Sequence, residues 1–342
     1  MRGERTAILA EGYSHDPHHG KTMRGVMRYR LEDVCAVVDS EVAGETIAGV
    51  PVVATVADAV ALGAQVALVG VATQGGRFPR AWRAILRDCI RSGLAIENGL
   101  HVFLGDDPEL SVLARESGVE LRDLRRPPAG LDCTTGENVR LAAHRVLTVG
   151  SDCAIGKMTV ALELDREARA RGLASEFVPT GQTGIAIAGW GISVDAVVAD
   201  FIAGATERLV LEAAARGGEL LFVEGQGSLL HPAYSGVTLG LFHGSAPQTL
   251  VLCHRPGTTE IDGYPGHSLR TLPELVVLHE RIALPACPAR VAAIALNTAG
   301  LDDEAAAAAC VAVESEIGLP ALDPVRHGAG RLLDAVLARE LQ

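Results

Sequence analysis

Apolar residues fall in short runs of strand length. In the first third these are Thr-Ala-Ile-Leu-Ala at 6–10, Val-Cys-Ala-Val-Val-Asp at 34–39, Val-Val at the end of 51–53, and Val-Ala-Leu-Val-Gly-Val-Ala at 66–72. Helical stretches lie between or after them, near 56–63 and 79–93. Arg125-Arg126-Pro127-Pro128-Ala129-Gly130 breaks the pattern, and a second alternating series follows. Its strands are expected at 145–149, 175–178, 219–223, 249–253 and 291–296, and its helices at 157–171, 193–216, 273–281 and 302–317. Strands separated by helices predict an α/β protein with parallel sheets, whose ligands bind beyond the carboxyl ends of the strands. The expected organisation is a Rossmann-like domain over 1–125, a linker over 126–139, and a doubly wound parallel-sheet domain over 140–342. In the first domain Asp39 ends the second strand, where a ribose-binding acid sits in nucleotide folds. No Gly-x-Gly-x-x-Gly follows the first strand; Glu11-Gly12-Tyr13-Ser14-His15 stands there.

Composition supports this picture. The chain is 48% hydrophobic but only 4% aromatic, so its core is Ala, Val, Leu and Ile, as in sheets covered on both faces. A net charge of −12 argues against nucleic acid as a partner, and means that an anionic ligand must be held by local cations and helix N-termini. The seven cysteines are dispersed, odd in number and without a CxxC pair, which speaks against a structural zinc or a disulfide framework. No apolar stretch is long enough to span a bilayer, so a cytoplasmic enzyme with no membrane partner is expected.

Charge usage then singles out two positions. There are 28 arginines and only two lysines, and each lysine follows a glycine just ahead of a threonine. Lysine is a compact donor that fits inside a ring of backbone amides, whereas arginine is a wide planar fork. Lys157 lies in Gly150-Ser151-Asp152-Cys153-Ala154-Ile155-Gly156-Lys157-Met158-Thr159, between an expected strand and helix. Strand, glycine loop, lysine and helix make a phosphate cradle. Serine replaces the first glycine of the usual motif, and Met158 displaces the hydroxyl to Thr159. The hydroxyl beside the lysine is the one that ordinarily reaches Mg²⁺, so phosphate binding is expected and Mg-ATP chemistry is disfavoured. Ser151, Asp152, Gly156, Lys157, Met158 and Thr159 are therefore the candidate cofactor-binding residues, and no metal ligands are assigned. Gly20-Lys21-Thr22 has no glycine at P-loop spacing, yet Lys21, Arg24 and Arg28 share one helical face of positive charge.

Three further strand ends carry candidate chemistry. Val223-Glu224-Gly225-Gln226-Gly227-Ser228-Leu229-Leu230-His231-Pro232 delivers Glu224, a candidate general base or Mg²⁺ ligand, with His231 behind it. Thr180-Gly181-Gln182-Thr183-Gly184 offers small polar donors to an anion, and Cys253-His254-Arg255-Pro256-Gly257 brings Arg255 to the same rim. Asp195 and Asp200 fall on the next helical stretch.

The motif Gly150-Ser-Asp…Gly156-Lys157 and the stretch Val223-Glu224-Gly225-Gln226-Gly227 resemble the dethiobiotin-synthetase-like P-loop group. The whole chain resembles a more specific family, formerly a domain of unknown function, whose members include D-glutamate N-acetyltransferases. That resemblance rests on Gly20-Lys21-Thr22…Arg28-Tyr29, on residues 150–159, on Gly181-Gln-Thr-Gly184 and on Glu224-Gly-Gln-Gly-Ser-Leu-Leu-His-Pro232. It implies acetyl-CoA as donor co-substrate, D-glutamate as acceptor and N-acetyl-D-glutamate as product, in D-amino-acid catabolism. Under it Glu224 is the first choice for the base, with Asp200 and His231 as the other catalytic candidates. Amides of Gly225 to Ser228 become oxyanion donors, and Lys21, Arg28, Gln182, Thr183, Gly184 and Arg255 the substrate-binding set. A homo-oligomer is expected of such an enzyme. The P-loop half alone leaves a Mg-ATP-dependent ligase or kinase open, with Glu224 and Thr159 on the metal.

Overall fold

The computed structural model describes residues 3–16, 19–73, 76–79 and 81–340. The chain divides into two compact units, Met1–Arg126 with Gln182–Ser193, and Pro127–Gly181 with Val194–Gln342.

The first unit runs β1 (Thr6–Leu9), α1 (Lys21–Tyr29), β2 (Val34–Val38), β3 (Thr46–Ile47), β4 (Val50–Val53), α2 (Val56–Ala61), β5 (Val66–Val69), α3 (Trp82–Arg91), β6 (Ala95–Asn98), α4 (Pro108–Ser117) and β7 (Leu121–Asp123). The sheet order is β3-β4-β2-β1-β5-β6-β7, parallel except for β3 against β4. This is Rossmann-like order, with β1 flanked by β2 and β5 at the topological switch. Strands β1, β2 and β5 are buried at every position, as their uninterrupted apolar runs require. Local caps set the helix starts: Thr55 and Asp58 form a capping box before α2, and Asp107 caps α4 ahead of Pro108. The helix expected at 79–93 is α3; Arg80, within that range, lies outside the described residues.

The second unit contains α5 (Glu137–Arg140), β8 (His144–Gly150), α6 (Lys157–Ala170) and β9 (Ser175–Val178). Helix α7 (Gln182–Ala188) belongs to the first unit. The second unit resumes with α8 (Ile202–Ala215), β10 (Leu220–Val223), α9 (Ser235–Ser245), β11 (Thr249–His254), α10 (Leu272–Arg281), β12 (Arg290–Leu296), α11 (Asp303–Ile317), β13 (Ala321–Leu322), α12 (Pro324–His327) and α13 (Gly330–Glu340). The parallel sheet has the order β13-β12-β11-β8-β10-β9. The strand leading into the lysine loop therefore lies centrally, beside the strand that ends at Glu224. All five strands expected here are present to within about two residues, the usual spread of element boundaries.

Two expectations shift. The segment expected to be a linker is pinned rather than loose: Thr135 and Asn138 amides donate to the Glu207 carboxylate on α8, and a Cβ on Gly204 would sit 1.8 Å from the Asp132 carbonyl. The single helix expected over 193–216 is broken into 3₁₀ turns at Val194–Ala196 and Ala199–Phe201 before α8 begins. No helix among the described residues is long and apolar enough to cross a membrane.

Candidate active site

The lysine loop begins where β8 runs out of sheet partners. Residues 151–156 turn back over the strand end, with Ala154 at φ 52° and Gly156 at φ 107°, so the chain enters α6 through two left-handed residues. Gly156 gives α6 no side-chain cap, which leaves its first amides for an anion. Lys157 is buried, and its Nζ donates to the Asp152 carbonyl at 2.7 Å. Burial pulls the lysine pKa below its ordinary value, against the opposing influence of Asp152 and Glu224, and a phosphate at the loop would favour the charged form further. Neighbouring strand ends brace the loop. Ser151 Oγ pairs with His254 Nδ1 at 2.9 Å, Asp152 Oδ2 accepts from the Asp262 amide at 2.8 Å, and Asn297 Nδ2 donates to the Ile155 carbonyl at 3.2 Å. Arg255 is exposed on the rim, with its guanidinium 3.5 Å from the Ala154 carbonyl. Met158 and Thr159 are half-buried on the first turn of α6.

Glu224 follows β10 directly and is 4% exposed. Its Oε2 accepts from the amides of Thr180 at 2.9 Å and Gly181 at 3.1 Å, while the Thr180 hydroxyl donates to the Glu224 carbonyl. Burial is the dominant influence and raises the carboxyl to about 7; the two amides and Lys157 oppose that rise, and Asp195 adds to it. A carboxyl poised there takes and returns a proton near neutrality. Gly225 is obligatory for the backbone path, because a Cβ would lie 1.7 Å from the Thr148 carbonyl oxygen. Its amide donates to Thr148 Oγ1 at 3.0 Å, which ties the carboxylate's strand to the lysine's strand.

His231 is buried on the loop after Glu224, stacked on Tyr234 and edge-on to Tyr264. Its Nδ1 accepts the Ala233 amide at 3.1 Å. A neutral imidazole with Nδ1 as acceptor carries its proton on Nε2, so the ring is a donor and not the proton acceptor expected of a base. One imidazole nitrogen, an Asp152 carboxylate oxygen and Cys153 Sγ lie within 4.8 Å of one another. The surroundings do not suit a cation. Ligation through Nε2 would leave Nδ1 accepting from an amide, the reverse of the usual outer shell, and ligation through Nδ1 would displace that amide. The thiols do not suit nucleophilic roles either, since burial pushes Cys153 up to about 11 and Cys253 to about 12.

These arrangements match a known sequence family at both ends of the chain. Residues 132–333 match the DUF1611 P-loop domain and residues 38–127 the DUF1611 Rossmann-like N-terminal domain, each described as a domain of unknown function. The chain belongs to the DUF1611 family. It is similar to the D-glutamate N-acetyltransferase of Tritonibacter scottomollicae, with 42% identity over 289 residues, 83% of this chain and 84% of that protein. The protein of the same name from Pseudoalteromonas sp. is 35% identical over 284 residues, 82% and 83% of the two chains. A crystal structure of a DUF1611 family protein from Anabaena variabilis is 41% identical and superposes with a TM-score of 0.91, covering 98% of this chain and 100% of that one.

In this DUF1611 member, several other candidates take different places from those expected. Asp200 is exposed on a 3₁₀ turn, and the acid that influences Glu224 is Asp195; the broken helix accounts for the exchange. Gln182 and Thr183 are spent inside the first unit. Gln182 Oε1 accepts from Arg125 at 2.7 Å, Thr183 Oγ1 pairs with Thr22 Oγ1 at 3.1 Å, and Gly184 is buried in α7. Lys21, Arg24 and Arg28 do share the exposed face of α1, which starts at Gly20 as an ordinary helix rather than a phosphate loop. Asp39 is saturated by the Gly12, Ser14 and Glu41 amides and the Ser14 hydroxyl, so it closes the loop after β1 and offers no oxygen to a ribose. The Thr180 and Gly181 amides, expected to serve an anionic ligand, serve Glu224 instead, and the roles of Thr148 and His254 went unrecognised, because each meets its partner from a different strand.

Proposed function

We propose that this protein is an N-acetyltransferase that moves the acetyl group of acetyl-CoA to the amine of D-glutamate, in the breakdown of D-amino acids. The observation that carries the reading is the buried Glu224, held near neutrality beside the Lys157 loop. The names of the two similar enzymes support it. The loop and the α6 amides bind phosphates of coenzyme A, and no hydrolysis of a phosphoanhydride is asked of them. Glu224 accepts a proton from the substrate ammonium. The freed amine then attacks the thioester carbonyl and forms the C–N bond; the tetrahedral adduct collapses with loss of the C–S bond, and the second amine proton leaves with the sulfur as coenzyme A thiol. Net products are N-acetyl-D-glutamate, coenzyme A and one proton, released when Glu224 ionises again. Arg255, on the rim of the same loop, is assigned to a substrate carboxylate. The cationic face of α1, with Lys21 and Arg28, is a separate candidate for substrate attraction.

A Mg-ATP-dependent ligase or kinase would place a hydroxyl immediately after the lysine, where Met158 stands. The test is thiol release from acetyl-CoA with D-glutamate and with L-glutamate, alongside thermal stabilisation by acetyl-CoA and by Mg-ATP. Turnover restricted to D-glutamate is expected. Stabilisation by Mg-ATP alone, without thiol release, would sink the proposal.

A further inference from the structure

His231 is the group that the proposed chemistry leaves unexplained. It is 3% exposed, held between two tyrosine rings, and fixed by the Ala233 amide on Nδ1. No hydrogen bond to its Nε2 is present among the described residues, although an imidazole nitrogen lies within 4.8 Å of Asp152 and Cys153 in the lysine loop. Three residues earlier on the same turn, Ser228 is 1% exposed and its Oγ is buried with no hydrogen-bond partner, while its carbonyl accepts the His231 amide at 3.2 Å. Ser228 Oγ is thus a buried donor that costs stability unless a ligand meets it, and on the same turn the imidazole keeps Nε2 for a second bond beside the phosphate loop.

We infer that His231, as a neutral Nε2–H donor supported by the Ser228 hydroxyl, holds the oxygen of the acyl group during transfer. The inference rests on the acetyltransferase reading. When the amine attacks, the C=O π pair moves onto oxygen, and the resulting alkoxide accepts the Nε2–H bond. Collapse returns the pair to C=O and expels the coenzyme A sulfur. The imidazole neither gains nor loses a proton through the cycle, which is what an Nδ1 already engaged by an amide permits. Preorganised donors of this kind are each worth about 10²–10³ in kcat.

The experiment compares three variants with the wild type in acetyl-CoA turnover. Gln places an amide N–H near the position of Nε2, whereas Asn places one near Nδ1. His231→Ala is expected to lower kcat by about 10²–10³ with the acetyl-CoA KM within about threefold. His231→Gln should recover at least about tenfold of that loss and His231→Asn should not. ¹⁵N spectra of histidine-labelled wild type, assigned by the signal missing from His231→Gln, should show the Nε2–H tautomer. An active wild type with His231→Gln as impaired as His231→Ala would overturn the inference, as would an Nδ1–H tautomer, which needs no folded variant beyond the assignment. A wild type that consumes no acetyl-CoA with any glutamate overturns instead the reading on which the inference stands.

Discussion

Replacing Glu224 by glutamine separates the cost of the site from its chemistry. The carboxyl is 4% exposed, and burial moves its pKa from 4.5 to about 7. That interval corresponds to about 3 kcal/mol of disfavour for the ionised form in the folded state. The folded protein binds this proton more tightly than the unfolded chain. Its contribution to stability is therefore whole below pH 4.5 and is lost as pH rises through about 7. Glutamine retains an oxygen for the Thr180 and Gly181 amides and carries no charge. Glu224→Gln should thus be more stable than wild type by about 2–3 kcal/mol at about pH 8.5, with the difference vanishing near about pH 4.5. Urea denaturation at the two pH values measures this directly. The same variant should lose about 10²–10⁴ in kcat, and the wild-type rate should rise about tenfold per pH unit up to the carboxyl's pKa while the residual rate of the variant stays flat. Parallel stability profiles for the two proteins, or an unchanged rate, would refute the assignment of Glu224 as a buried base.

Other substitutions test the parts around it. Gly225→Ala forces a Cβ to within 1.7 Å of the Thr148 carbonyl, so the two central strand ends must separate; a loss of at least about 2 kcal/mol in urea denaturation is expected. Lys157→Met removes the charge beneath the bound phosphates and should raise the acetyl-CoA KM by about tenfold or more, read by thiol release, with a smaller change in the D-glutamate KM. Asp200→Asn alters an exposed turn and should leave kcat within about twofold and stability within about 0.5 kcal/mol, whereas a large loss of rate would restore Asp200 as a base.

What could be read from the sequence follows the range of the interactions. Central strands such as Leu220–Val223 and Thr249–His254 are built on uninterrupted apolar runs (Leu250–Cys253 in the second), and their positions and parallel arrangement were legible from the pattern of such runs. The edge strands of the first unit were not: Leu121–Asp123 reads Leu-Arg-Asp and Thr46–Ile47 is two residues long, so neither carries a period. The lysine loop and Glu224 were legible because strand, glycines and functional group are contiguous. Gln182 and Thr183 looked like ligand donors for the same reason, being small polar residues after a strand. Their partners Arg125 and Thr22 lie 57 and 161 residues away, and no local pattern encodes such pairings.

His231 is an intermediate case, since the decisive neighbour is close in sequence. In His231-Pro232-Ala233 the proline has no N–H to give, so the next amide along, that of Ala233, is the one that reaches Nδ1. That bond fixes the proton on Nε2 and separates the two groups by role: a carboxylate that titrates near neutrality and an imidazole held as a donor. Acyl transfer to an amine needs both at once, a proton acceptor for the ammonium and a donor for the developing alkoxide. The two lysines divide in the same physical way. Each is followed by a threonine in the sequence, immediately or after one residue, but Thr22 is buried against Thr183 whereas Lys157 reaches into the loop at the Asp152 carbonyl. The buried Lys157 sets its ammonium against a backbone carbonyl of the loop, a place for a compact donor and not for a wide planar fork.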